Sequence, residues 1–153
     1  MNEVTKDKSY VAVEDKIMAL AKIDDLIDTP ATEIERSGYD DSLFEVGGAE
    51  YLVLTDSEAD QRCAECIKDS LWAFNASFLS AHMKNRLDKS GIDALQEMQS
   101  KLCESANPIV LNMIDDLDYL IEDAINADGR GYFLADYDFE EIEQGDFYIY
   151  RTN

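Results

Sequence analysis

The 153-residue sequence predicts an α+β fold, mostly helical with a small antiparallel sheet, built as a single domain over 1–153. Three observations point there. Apolar residues recur at helical spacing over most of the chain. Two short apolar runs flank Gly47-Gly48, and an aromatic run at 147–151 reads as a further strand. Hydrophobic residues make up 46% of the composition, enough for one core in a chain of this length.

Taken in order, residues 10–28 place Val13, Ile17, Leu20, Ala21 and Ile27 near helical spacing, and Pro30 ends the run. Residues 31–42 read as a loop. Leu43 to Leu54 read as a hairpin turning at Gly47-Gly48. Thr55 and Glu58 form a capping box, opening a helix predicted to reach about Phe74. Asn75 or Ser77 should start another helix through Leu87, and Ser90-Gly91 separates it from a helix over 92–103. Asn107-Pro108 and Gly129 have the chemistry of a helix start and stop, so 108–127 reads as one continuous helix. Its apolar stripe is Ile109, Met113, Ile114, Leu117, Leu120, Ile121, Ala124 and Ile125. Tyr132 to Leu134 and Phe147 to Arg151 read as strands joined by an acidic loop, the last of them pairing with 50–54.

Charge is the outlier. Thirty-four Asp and Glu stand against thirteen Lys and Arg, a net charge of −21. Small soluble domains are served by a magnitude of about 2 to 8. The surplus lies in the flanks: net −11 over residues 1–60, zero over 61–109 and −10 over 110–153. The neutral middle holds Trp72, Phe74, Phe78 and the cysteines, and reads as the structural heart. Such a charge repels nucleic acid and anionic membranes and attracts basic surfaces, so direct nucleic-acid binding and membrane association are not expected. No apolar run approaches membrane length and the N-terminus is polar, which predicts a cytoplasmic protein with reduced thiols.

No catalytic or metal site is expected, and no cofactor. Cys63-x-x-Cys66 could share a metal only if Cys103 and His82, the one histidine, converged on it; the simpler reading is small buried residues facing one way. No nucleophile motif accompanies His82, which reads as a helix-surface or core residue. The Asn126-Ala-Asp-Gly129 stretch resembles a calcium loop but puts Ala124 and Ala135 at the anchoring ligand positions. Gly47-Gly48 lacks the lysine of a phosphate loop, and no aromatic pattern supports a glycosidase.

The acidic faces remain. Asp115, Asp118 and Glu122 follow at three- and four-residue intervals and Asp116 and Asp123 at seven, so their carboxylates should stand about 5–6 Å apart in a row. A row of this kind can occupy an arginine-lined groove built for a phosphate backbone. Glu140, Glu141 and Glu143 add a loop patch, and Asp24, Asp25 and Asp28 a second one.

Residues 129–153, together with 69–75 and 50–55, resemble a group of small acidic proteins encoded by bacteriophages and prophages. The likeness implies no catalytic residue. Joined to the surplus of negative charge, it implies a non-enzymatic inhibitor in the cytoplasm of a bacterial host, of the anti-CRISPR or anti-restriction, DNA-mimicking kind. Its partner would then be a basic nucleic-acid-binding protein or complex. A phage adaptor that binds a protein through apolar surface is the competing expectation. The oligomeric state is open, a homodimer included.

Overall fold

The computed structural model describes residues 12–153. These divide into two compact units: one is the chain up to Arg62 together with Arg130–Asn153, the other is Cys63–Gly129. As the sequence predicts, the fold is α+β and mostly helical with a small antiparallel sheet.

The first unit is organised by the hairpin. Strand β2 (Leu43–Val46) and strand β3 (Ala49–Thr55) pair antiparallel with Val46 opposite Ala49. Gly47 and Gly48 adopt φ of 55° and 83°, the positive values that a two-residue hairpin turn of this hand demands. Strand β5 (Phe147–Arg151) lies antiparallel to β3, from Tyr51 opposite Arg151 to Thr55 opposite Phe147, as expected. Strand β1 (Glu35–Arg36) borders β2, and strand β4 (Ile142–Gln144) borders β5, which gives the order β1-β2-β3-β5-β4.

Alternation along the strands sends Phe44, Val46, Tyr51, Val53 and Ile149 to one face, where Leu20, Ile23, Leu26 and Ile34 pack on them. Removing such side chains from water stabilises by about 1.5–3 kcal/mol each, so this face anchors the unit. Leu52, Leu54 and Tyr150 are also buried, which makes β3 a strand covered on both sides. Helix α1 (residues 12–20) supplies Lys16, whose buried ammonium donates to Ser42 Oγ at 2.9 Å and to Glu58 Oε1 at 3.0 Å. One cation thus ties α1, the hairpin and the Thr55–Glu58 cap together.

Three expectations for this unit are corrected. The helix read over 10–28 ends at residue 20, and its predicted start at Tyr10 lies outside the described residues. Ile23 turns extended at ψ 152° before a 3-10 turn at Asp24–Leu26, which buries both Ile23 and Leu26. Tyr132 to Leu134 form no strand: they belong to helix α7 (Arg130–Leu134). There Gly131 lies so close to the chain at 139–141 that an added Cβ would stand 2.5 Å from the Phe139 carbonyl oxygen. Residues 142–144, read as loop, pair as β4.

Helix α2 (Asp56–Asp69), whose residues from Cys63 on belong to the second unit, opens on the predicted capping box, with Glu58 N donating to Thr55 Oγ1 and Thr55 N to Glu58 Oε1. It stops at Asp69 rather than Phe74, and a 3-10 turn at Leu71–Ala73 follows. Asn75 then accepts from Ser77 N and Phe78 N to start helix α3 (Ala76–Ala81), which ends well short of Leu87. Helix α4 (Lys89–Leu102) is capped by Asp88 through Gly91 N, so Gly91 lies inside the first turn and does not separate two helices. Cys103 follows with φ 50°.

The helix read over 108–127 is two helices, α5 (Asn107–Met113) and α6 (Leu117–Asp128). Ile114 is extended and bridges Met83, Asp115 N donates to His82 O at 2.9 Å, and Asp116 caps α6 by accepting from Tyr119 N at 3.1 Å. These bonds compete with the helical ladder and win because Ile114 is buried where it crosses the chain at Met83. Asn107 is not the cap: its side chain accepts from Trp72 N and donates to Lys68 O. Of the expected stripe Ile109 is exposed, and Val110 takes its place in the interior. Gly129, at φ 82°, ends α6 as predicted.

Candidate functional site

Helix α6 turns Leu120, Ile121 and Ala124 inward and so directs Asp118 and Glu122 outward. The five acids foreseen as one row play different parts. Asp116 is the N-cap. Asp123 Oδ2 lies 2.8 Å from His82 Nε2, whose ring is buried between Phe78 and Tyr119 at 4.9 and 5.1 Å. Because the helix breaks before Leu117, Asp115 precedes α6 instead of continuing its face. Asp115, Asp118 and Glu122 are exposed and make no salt bridge among the described residues.

In the first unit the loop patch is likewise divided. Glu141 accepts from Arg130 Nε at 2.9 Å and from the Tyr150 hydroxyl. Arg130 also binds Asp56 Oδ1 at 2.8 Å and Asp60 Oδ1 at 3.1 Å, with its guanidinium 4.4 Å above the Tyr148 ring. Burial opposes the charge on Arg130, but Glu141 and Asp56 outweigh it and hold the pKa above its ordinary value. Glu141 is therefore committed to the fold. Glu140 and Glu143 are exposed, Glu143 standing opposite Tyr148 on β4.

Asp24 and Asp25 open the 3-10 turn above buried Leu26, and Asp28 is exposed beyond it. Burial pushes the Tyr51 phenol up, opposed by Arg151 and reinforced by Asp25 and Asp138. Asp25 of one patch and Asp138 of the loop before Glu140 thus both act on Tyr51, which spacing along the sequence does not show.

A further acidic feature comes from strand register. Glu35 stands opposite Glu45, and Glu45 opposite Glu50, so three glutamates line up across β1, β2 and β3. Like charges directly opposite one another destabilise a sheet. The Glu45-Val-Gly-Gly-Ala-Glu50 hairpin already pairs two of them by symmetry about its turn.

The other candidates resolve simply. Cys63 is buried, Cys66 half-buried and Cys103 exposed, so of the three only Cys63 is a core residue. Among the described residues no group of three or more His, Cys, Asp or Glu is placed to hold a metal ion. A groove of about 370 Å³ runs beside Trp72, Phe74, Gln99 and Cys103, where the Gln99 amide is spent on the Trp72 and Phe74 carbonyls at 2.8 and 2.7 Å. No helix among the described residues is long and apolar enough to cross a membrane. Comparison of the chain with known protein families, with curated proteins and with solved structures returned no match.

Proposed function

We propose that this chain is a non-enzymatic inhibitor that occupies the basic, nucleic-acid-binding surface of a bacterial protein complex, in the manner of anti-CRISPR and anti-restriction proteins. The observation that carries the reading is the order in the surplus charge. Asp115, Asp118 and Glu122 are exposed without a cation among the described residues, and Glu35 and Glu45 stand exposed and opposite each other, beside Glu50, whose carboxylate accepts from the Ser37 and Thr152 hydroxyls. A basic groove would compensate either set. Such docking would be fast at low ionic strength and would weaken steeply as salt rises, because the partner's arginines and lysines are those that neutralise phosphates.

The test is capture from bacterial lysate on the immobilised full chain, beside a variant carrying Asp115→Lys, Asp118→Lys and Glu122→Lys. The reading expects a basic nucleic-acid-binding complex that elutes with salt and is lost from the variant while its circular dichroism spectrum is unchanged. Equal capture by both chains, in a salt-insensitive form, refutes it and favours the adaptor reading. The exposed Tyr132, Tyr137 and Phe139 are the observation on that side.

A further inference from the structure

Aromatic side chains in water are costly to leave uncovered, and the first unit displays three of them on one short stretch: Tyr132, Tyr137 and Phe139, at 53%, 57% and 59% exposure. Tyr132 and Phe139 stack on each other, ring centroids 5.6 Å apart and planes 26° from parallel. Phe139 reaches that position with φ 61°, a left-handed backbone that bulky side chains rarely adopt. The turn that holds it is closely built. Phe139 N donates to Ala135 O at 2.7 Å, Asp138 Oδ1 accepts from Glu140 N at 3.0 Å, and only a glycine at 131 leaves room for the Phe139 carbonyl. The left-handed turn thus holds the ring outside the core.

The surroundings define what the rings suit. Asp136, Asp138 and Glu140 are exposed on the same stretch, so a cation is drawn to it and an anion repelled. The unit also shows the mode of contact in its own packing: Arg151 lies 3.7 Å over Tyr137 and Arg130 lies 4.4 Å over Tyr148. A planar guanidinium can stack on a ring and bind a carboxylate with its edge together, whereas a lysine ammonium offers only a point charge.

We propose that the stacked Tyr132–Phe139 pair is an arginine-selective anchor: a guanidinium of a basic partner protein stacks on the pair while Asp138 and Glu140 receive its N–H groups. This rests on the reading of the chain as a ligand for a basic surface, and adds to it the side chain that the surface must present.

Titration of the full chain with an oligo-arginine peptide and an oligo-lysine peptide of equal length, at physiological salt, tests it by calorimetry and by the ring resonances of Tyr132 and Phe139. The arginine peptide should bind about tenfold more tightly. Phe139→Asn should abolish that preference without lowering the melting temperature, since asparagine tolerates positive φ. Tyr132→Leu should do the same without touching the strained residue. Equal affinity of the two peptides for the unaltered chain overturns the anchor and leaves the basic-surface reading standing, whereas binding of neither overturns both. Retained arginine preference in the two variants also overturns the anchor.

Discussion

At the scale of single residues, the sharpest constraint is Gly131. Its missing Cβ is the space occupied by the Phe139 carbonyl, and that neighbour is backbone, which cannot swing aside as a flexible side chain could. Gly131→Ala should therefore destabilise by about 1–3 kcal/mol, the range for overpacking, read from the urea midpoint. Glu58 is the residue to follow with pH. Burial raises its pKa, but the Thr55 N–H and the Lys16 ammonium outweigh it and hold the carboxyl below its ordinary 4.5. Asp40 is likewise held below 3.8, where burial is outweighed by Ser42 N–H and Arg62. A carboxyl depressed in the folded state adds stability that is whole above its unfolded pKa and lost as pH falls through its folded value. Stability should accordingly decline as pH drops below about 4.5. In Glu58→Gln, which keeps a capping acceptor without the charge, urea midpoints measured from about pH 6 to about pH 3 should fall less than in the unaltered chain. An equal fall in both would remove Glu58 from the account.

Among the elements, local chemistry explains what the sequence discloses. The Gly47-Gly48 turn and the Thr55–Glu58 cap follow from short-range rules and the strand at 147–151 from its aromatic run, and all are present, the last paired with β3 as expected. The break between α5 and α6 does not follow, because apolar periodicity runs through residue 114 unbroken. What interrupts it is a partner far along the chain, the Met83 bridge and the His82 carbonyl. Asp116→Ala removes the cap and should cost about 0.5–2 kcal/mol, measured by thermal unfolding; no change would mean that the long-range bonds alone set the boundary. Tyr132 to Leu134 look like a strand by composition and are helical because Gly131 packs under the 139–141 loop. The candidate row on α6 was legible in part: Asp118 and Glu122 point outward, whereas Asp116 and Asp123 are taken by a cap and a histidine. The glutamate ladder could have been found by folding the hairpin about its own glycines. Glu45→Lys, set between Glu35 and Glu50, should raise stability by about 0.2–1 kcal/mol per opposed pair in the same assay. A loss of stability would show that the three carboxylates do not repel.

For the whole molecule, −21 is a cost as well as a recognition signal. Self-repulsion weakens a compact state and salt relieves it, so Glu45→Lys would separate the two demands, with a firmer fold and a poorer ligand for a basic groove. Each unit carries exposed carboxylates of its own, Asp118 and Glu122 on the outward face of α6 in one, and Glu35 and Glu45 with Glu140 and Glu143 in the other. The proposed function requires that these carboxylates take the place of phosphates. The most direct measurement is competition: the affinity of the full chain for the captured basic complex, followed against rising salt with and without duplex DNA. A linear fall of log affinity with log salt and mutual exclusion of chain and DNA are expected. Binding that is indifferent to salt, or a stable assembly holding chain, complex and DNA together, would contradict the proposed function.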